Sequence, residues 1–203
     1  PDALNANNGT INWTYTITEG ELDFLAAGET VTAVFTITVN DGNGGTDTQD
    51  VTINITGAND VPVITIVDVV GDITEGATLS DTGSITFADL DLTDLPTATE
   101  VTQSVNTTKV GGLTGAQQTA IENAFSISPD ALNANNGTIN WTYTITEGEL
   151  DFLAAGETVT ATFLITLIDG NGGSDTQTVT INIAGANDVP VITVVDVVGD
   201  ITE

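Results

Sequence analysis

The chain has 203 residues, no cysteine or histidine, and 29 acidic residues against one basic residue, which gives a formal charge of -28 at pH 7. This balance argues against binding to nucleic acid or to anionic membrane surfaces, because both require Lys and Arg. The usual catalytic triads and thiolate metal sites need residues that the chain lacks, and no apolar run is long enough to span a bilayer. We therefore expect neither an enzyme nor a membrane-inserted protein, and we expect cations from solution to offset the self-repulsion of the chain.

The sequence repeats itself over a long period. Pro1 to Glu75 align without a gap onto Pro129 to Glu203, an offset of 128 residues, and only eight of the 75 aligned positions differ. A unit of this length fits one sandwich-sized domain and is much longer than a solenoid or propeller repeat. The predicted organisation is residues 1–61 as the C-terminal half of one repeat, residues 62–189 as a complete repeat, and residues 190–203 as the start of the next.

The first half of the complete repeat predicts strands and a short helix. Apolar alternation at residues 61–70 and 78–94 predicts at least two strands. A helix is predicted at residues 113–125, because Thr114 and Gln117 have the spacing of a capping box and small apolar residues follow at helical intervals. We expect this helix to decorate the connection between two sheets.

The second half predicts three more strands, at residues 138–146, 158–168 and 174–185. The last two are joined by the sequence DGNGG, which is typical of a hairpin turn because glycine supplies the positive φ that such turns need. About seven short strands at this spacing predict an all-β protein made of Greek-key β-sandwiches joined end to end, with one short helix per repeat. The aromatic residues predicted to face the core are Trp13, Tyr15, Trp141 and Tyr143.

Acidic residues are predicted to gather where one repeat meets the next. If the strands alternate in direction, the hairpin aspartate, the linker before the repeat and the loop after its first long strand all lie at one end of the sandwich. Like charges at such distances repel unless a cation lies among them, and an all-oxygen ligand set favours Ca²⁺ over Mg²⁺ or zinc. The alternative is that these are ordinary solvated linker and turn residues. The residues brought together by this argument are Asn59, Asp60, Asp89, Asp91, Asp94 and Asp169.

The stretch ELDFLAAGETVTATFLITLIDGNGGSDTQTVTINIAGANDVPVI resembles the VCBS repeat, a bacterial cadherin-like domain found in long arrays in RTX adhesins and other giant surface proteins. The resemblance covers essentially the whole chain and rests on the joint occurrence of LDFLAAGET, DGNGG, GANDVPVI and GSITFADLDLTD. It implies tandem Ig/cadherin-like sandwiches, calcium at their junctions, export by type I secretion and an extracellular location on the bacterial cell surface.

The resemblance also implies which residues bind calcium. At the first junction these are an Asp-x-Asp pair, a turn aspartate, two linker residues and one residue of the preceding repeat, namely Asp89, Asp91, Asp169, Asn59, Asp60 and Asp23. At the second junction the matching residues are Glu75, Asp151, Asn187 and Asp188. Gly57 and Val61 replace the outer ligands of the cadherin linker, and Leu25 and Leu153 replace a second acid, so we expect one or two ions per junction.

The predicted function is a non-catalytic spacer of a long surface protein, stiffened by calcium at the junctions between repeats. Two alternatives stay open at this point. One is an adhesive module that binds a sugar or a neighbouring filament. The other is a filament subunit in which separate chains complete each other's sandwiches by strand addition. The expected partners are neighbouring repeats of the same chain or filament, with lateral or end-to-end self-association open.

Overall fold

The chain is built almost entirely from β-strands. The computed structural model describes residues 9–66, 68–129, 134–192, 199, 201 and 203. The elements are β1 (Thr30–Asn40), β2 (Thr46–Thr56), β3 (Val63–Ile66), β4 (Val70–Thr74), β5 (Ser80–Ala88), β6 (Thr97–Thr107), α1 (Gly115–Asn123), β7 (Phe125–Pro129), β8 (Asn136–Thr144), β9 (Thr158–Ile168) and β10 (Ser174–Ala184). None of the helices in the described ranges has the length and apolar character needed to cross a membrane.

The complete repeat is a sandwich of two four-stranded sheets. One sheet has the order β4-β10-β9-β6 and the other the order β3-β5-β8-β7. Neighbours in both sheets are mostly distant in sequence, as Greek-key connections require. The predicted all-β sandwich with a single short helix is confirmed for this repeat.

Alternation along the strands builds the core between the two sheets. In β8 the side chains of Ile139, Trp141 and Tyr143 are fully buried, and the intervening residues face solvent. The ring of Phe125 from β7 stacks on that of Phe163 from β9, with centroids 4.1 Å apart and planes within 8°. The two sheets are therefore joined by large apolar side chains of the kind that dominate sandwich cores.

The apolar run predicted at residues 61–70 divides between the two sheets. Its first part, β3, pairs antiparallel with β5, whereas β4 pairs parallel with β10, Val70 lying opposite Thr180. The N–H of Ile64 in β3 donates to Asp175 Oδ2 at 2.8 Å, close to the start of β10. This contact places the linker before the repeat beside the β9–β10 hairpin turn.

Three strands were missed by sequence analysis, because β4 shares only Val70 with a predicted strand and β6 and β7 share no residue with one. β6 reads TATEVTQSVNT, in which polar side chains dominate and only Ala98 and Val105 pack on the core. β7 follows directly after α1, without a turn signal of its own. The helix itself begins after Thr114, which forms the predicted capping box with Gln117, and it lies on the connection between the two sheets.

The earlier copy of the repeat contributes a hairpin. β1 and β2 pair in the same register as β9 and β10, since Thr30 lies opposite Thr56 just as Thr158 lies opposite Ala184. The described part of the segment that corresponds to β8, residues 9–16, forms no strand. The prediction that Trp13 is a core residue is wrong for this structure: its side chain is 55% exposed, because no described strand pairs with the segment that carries it.

Candidate metal centre

Six side chains converge at the end of the sandwich where the linker enters. We call them the junction cluster: Asn59, Asp60, Asp89, Asp91, Asp94 and Asp169. They come from the linker after β2, the loop after β5 and the hairpin between β9 and β10. Strand direction alone brings these three segments to one end, as the sequence argument expected.

The hairpin turn fixes the position of Asp169. One carboxylate oxygen, Oδ1, accepts hydrogen bonds from the backbone N–H groups of Asn171, Gly172 and Gly173, at 2.7, 3.0 and 3.0 Å. The other oxygen accepts from the side-chain amide of Asn59 at 2.9 Å. The turn therefore presents a firmly held carboxylate to the linker.

The loop after β5 supplies three buried carboxylates. The N–H of Asp91 donates to Asp89 Oδ1 at 3.1 Å, and the N–H of Asp60 donates to Asp91 Oδ2 at 2.8 Å. The amide of Asn171 donates to Asp94 Oδ1 at 2.8 Å. Each of these aspartates thus uses one oxygen to hold a neighbouring segment: Asp89 the loop, Asp91 the linker and Asp94 the hairpin.

Four other oxygens of the cluster have no hydrogen-bond partner among the described residues. Asn59 Oδ1, Asp89 Oδ2, Asp91 Oδ1 and Asp94 Oδ2 are buried and accept no hydrogen bond within the described residues. One carboxylate oxygen from each of Asp89, Asp94 and Asp169 lies within 4.8 Å of the others. Burying polar atoms without hydrogen-bond partners costs free energy. These oxygens therefore require a ligand that binds to oxygen lone pairs.

Electrostatics favour a cation as that ligand. Burial, and then the neighbouring carboxylates, raise the pKa values of Asp89 and Asp91 above the ordinary range. Burial also acts on Asp169, but the hydrogen bonds from Asn59 and the turn outweigh it and lower its pKa. The only basic side chain, Lys109, donates to the carbonyl of Gly112 in a different loop. A set of carboxylate and amide oxygens from five aspartates and one asparagine fits Ca²⁺, which prefers many oxygen ligands.

We expect the calcium-free protein to become more stable as the pH falls from 7 to about 5. A carboxyl whose pKa is raised by folding contributes stability that is fully present below its ordinary value, 3.8 for aspartate, and is lost as the pH rises through the raised value. Urea unfolding in chelated buffer at both pH values measures the difference. The double variant Asp89→Asn/Asp91→Asn removes the two carboxyls with raised pKa values and leaves the other 27 of the 29 acidic residues in place, so it should show a smaller pH dependence. An unchanged profile in that variant would contradict the assignment.

The glycine that ends the hairpin turn, Gly173, has a predicted role in the cluster. A Cβ at this position would collide with Asp169 Oδ2 and lie 3.1 Å from the amide nitrogen of Asn59. We expect Gly173→Ala to lower the free energy of unfolding by about 1–3 kcal/mol, as overpacking does. Gly45→Ala is the matched control: its Cβ meets the Asp41 carboxylate in the equivalent turn, but Asp41 is exposed, so its side chain can move aside. Urea unfolding should show the loss only for Gly173→Ala, and equal effects of both substitutions would refute the prediction.

A second acidic group lies at the opposite end of the repeat. Carboxylate oxygens of Glu75, Glu147 and Asp151 lie within 4.8 Å of one another. Glu75 is buried, its Oε2 accepts from the N–H of Ala186 at 2.6 Å, and its Oε1 has no partner among the described residues. Burial, followed by the charges of Asp188, Glu147 and Asp151, raises the pKa of Glu75. This group combines two predicted residues with one that was not predicted.

The other predicted residues of the second junction stay on its surface. Asn187 and Asp188 are exposed, and the amide of Asn187 donates to the backbone carbonyl of Asp188 at 3.0 Å. Asn59 makes the same bond to Asp60 at 2.8 Å. The two linkers therefore share this local hydrogen bond. The first linker also contacts the β9–β10 hairpin and the loop after β5.

Within the described residues, no hydrogen bond joins Asp23 to the junction cluster. Its neighbour Phe24 does reach the next repeat, since the carbonyl of Phe24 accepts from the N–H of Leu92 at 3.5 Å. Glu147 and Asn171 were missed by sequence analysis. Glu147 begins a short 3₁₀ helix (Glu147–Glu149) and lies four residues before Asp151. This spacing places the two acidic side chains on the same side of the turn, and it could have been recognised in the sequence.

One comparison with known proteins bears on the class of fold. A family model described as a bacterial Ig domain matches residues 2–54, which correspond to residues 130–182 in the second copy. No curated protein sequence matches the chain. The sheet order and this match agree with the predicted Ig-like sandwich.

Solved structures with similar folds are distant. Mouse clustered PcdhgC3 EC1-3 is 10% identical with a TM-score of 0.41, and the match covers 84% of this chain and 46% of that one. The zebrafish RET cadherin-like domains 1 to 4 are 13% identical with a TM-score of 0.40, covering 85% and 36%. PapD-like domain 7 of human CEP192 is 11% identical with a TM-score of 0.39, covering 64% and 89%. The chain thus spans less than half of the two cadherin-like structures.

Proposed function

We propose that this chain is a non-catalytic extender of an extracellular bacterial surface protein, in which Ca²⁺ bound between repeats makes a row of β-sandwiches stiff. The observation that carries the proposal is the set of four buried oxygens without partners at the point where the linker enters the complete repeat. The match of residues 2–54 to a bacterial Ig domain supports an extracellular structural or adhesion module. Attachment to a long surface protein and export by type I secretion belong to the same proposal.

The residues that would hold the ion come from three separate segments. Asn59 belongs to the linker, Asp89, Asp91 and Asp94 to the loop after β5, and Asp169 keeps the linker amide in place. An ion bound by all of these segments would tie the linker to both sheets of the sandwich at this end. Because the unfolded or bent junction lacks this arrangement, calcium would stabilise the ordered junction by mass action.

Contacts between the successive repeats give the stiffened junction a defined geometry. The hydroxyl of Thr93 donates to Glu29 Oε1 at 3.1 Å, next to the contact between Phe24 and Leu92. These contacts join the preceding half-repeat to the same loop that carries Asp91 and Asp94. Occupation of the cluster by a cation would order this loop and thereby fix the direction of the preceding repeat.

Small-angle X-ray scattering tests the proposal on a protein with two tandem copies of residues 62–189. With millimolar calcium we expect a narrow profile with a maximum dimension near twice the length of one repeat, roughly 40 Å from strands of about 11 residues. Chelation should shorten and broaden the distribution of distances. A profile that does not respond to calcium would mean that the acidic residues are solvated turns and that the junction is not set by metal.

A further inference from the structure

Glu29 and Glu157 occupy the same position in successive repeats, just before the first strand of each hairpin. Their local contacts are the same. Glu29 Oε2 accepts from the N–H of Ala26 at 3.1 Å, and Glu157 Oε2 accepts from the N–H of Ala154 at 3.1 Å. The backbone carbonyl of each glutamate also accepts from the N–H of the glycine that begins the following linker, at 2.8 and 3.0 Å. The two carboxylates can therefore be compared atom by atom.

The other oxygen of this glutamate has a different partner in each copy. Glu157 Oε1 accepts from the backbone N–H of Val110 at 3.2 Å, in the loop between β6 and α1 of the same repeat. Glu29 Oε1 accepts from the hydroxyl of Thr93 at 3.1 Å, in the loop after β5 of the following repeat. We call these segments the lysine loop (residues 108–112) and the acidic loop (residues 89–95). A carboxylate oxygen has two lone pairs, so one oxygen can accept from both loops at once.

Repetition of both contacts along an array places the two loops side by side. The 128-residue period makes Glu157 the counterpart of Glu29, so the acidic loop of the next repeat reaches Glu157 as Thr93 reaches Glu29. The lysine loop is already bound to that same oxygen through Val110. The two loops then lie no more than two hydrogen-bond lengths apart at this oxygen.

The two loops carry opposite charges. Lys109 is the only basic residue of the chain, and it directly precedes Val110. Its ammonium donates to the carbonyl of Gly112 at 3.3 Å, and an ammonium has three donor hydrogens, so it can also bond to a second partner. The acidic loop carries three aspartates of the junction cluster. Their charges attract the ammonium and favour this loop as its neighbour.

We propose that the lysine loop of each repeat docks on the acidic loop of the next repeat, as a second contact across the junction beside the metal centre. Lys109 faces the aspartates of that loop, and Val110 packs against Leu92. The backbone of Leu92 already lies against the preceding repeat, because its N–H donates to the carbonyl of Phe24 at 3.5 Å. This inference rests on the proposed function only in that repeats follow one another. The docking itself uses protein groups alone and needs no bound calcium.

Trypsin cleavage of an extended chain tests the docking, since trypsin cuts after lysine and arginine. Because Glu203 corresponds to Glu75, joining residues 76–203 to the end of the full chain continues the period without a gap. The product has two tryptic sites: Lys109 of the first repeat, which another repeat follows, and Lys109 of the appended repeat, which none follows. We expect the first site to be cleaved at least about tenfold more slowly, because docking holds its loop closed. The second site is the matched control in the same molecule.

Two substitutions in the appended repeat show whether its acidic loop causes the protection. Leu92 and Val101 are 61% and 56% exposed, so replacing either by alanine leaves the core intact. Leu92→Ala should reduce the difference between the two sites by at least about threefold, because it removes apolar contact with the lysine loop. Val101→Ala, in the middle of β6, should leave the difference unchanged. Equal cleavage of the two sites, or an unaltered difference in Leu92→Ala, overturns the proposal.

A pair of engineered cysteines gives a second readout that does not require cleavage. The chain has no cysteine of its own, so Val110→Cys in the first repeat and Thr93→Cys in the appended repeat form the only pair. We expect a disulfide on mild oxidation, which requires Cα atoms within about 7 Å of each other. Val110→Cys combined with Val101→Cys is the control pair and should stay reduced. Absence of the first disulfide, or equal yields from both pairs, contradicts the docking.

Both experiments are carried out with calcium and with chelator, so that the two proposals can fail separately. Docking that persists in a protein whose scattering profile does not respond to calcium would contradict the calcium-stiffened extender alone. A calcium response without protection of the first Lys109 and without the disulfide would contradict the docking of the loops alone.

Discussion

Trp141→Ala is expected to lower the free energy of unfolding of the complete sandwich by about 3–5 kcal/mol, the usual cost of removing a large aromatic side chain from a core. The Trp141 side chain is completely buried, packs near Phe125, and donates its indole N–H to Asp68. Its removal leaves a cavity against Gly71 and Gly83, where no side chain is available to fill the space. Urea unfolding followed by circular dichroism measures the loss.

Trp13→Ala is the matched control, because it is the same substitution in the same local sequence one repeat earlier. Trp13 is largely exposed. We therefore expect this substitution to change the free energy of unfolding of the sandwich by no more than about 0.5 kcal/mol, as is usual for surface substitutions. A large loss from Trp13→Ala, or a small one from Trp141→Ala, would show that the half-repeat and the complete repeat are not packed as described.

The second large effect is expected from Asp91→Asn. In the wild-type chain, 10 mM calcium should raise the free energy of unfolding by about 1.4–2.7 kcal/mol if the dissociation constant lies in the extracellular range of roughly 0.1–1 mM. Asp91 is completely buried, and the substitution removes a charged ligand while keeping its shape. We therefore expect most of the calcium-dependent stabilisation to disappear.

The same substitution should have the opposite effect without calcium. Burial and neighbouring carboxylates disfavour the charged form of Asp91, so the neutral side chain should make the calcium-free protein more stable than wild type. Thermal unfolding with calcium and with chelator measures both differences. Asp41→Asn is the control for loss of one charge, because Asp41 occupies the exposed hairpin and lies outside the junction cluster. Loss of the calcium response in that control, or its retention in Asp91→Asn, would argue against the cluster as the metal site.

Much of the architecture could be predicted from local pattern. Apolar and polar residues alternate along β8, β9 and β10, and the helix has a capping residue, Thr114, at its start. These local patterns are sufficient to predict the four elements. β6 could not be predicted in this way. Its inward positions are mostly polar, and its pairing with β9 is decided by the sheet rather than by its own side chains.

The candidate site was predictable for a topological reason. Alternating strand direction sends the linker, the loop after β5 and the hairpin to one end, so Asn59, Asp89 and Asp169 could be grouped without coordinates. The additional residues could not be found this way. Asn171 acts through its amide on Asp94, and Glu147 meets Glu75 because β8, which precedes Glu147, pairs with β5, which follows Glu75.

The sequence by itself determined the 128-residue period, the strand-forming alternation and the acidic character, because these depend on residue order and charge alone. Only the tertiary structure decided which copies of the repeated residues are buried. The segment INWTY occurs twice, yet Trp141 is core and Trp13 is exposed. Burial depends on the opposing sheet, and within the described residues only the second copy of that segment faces one.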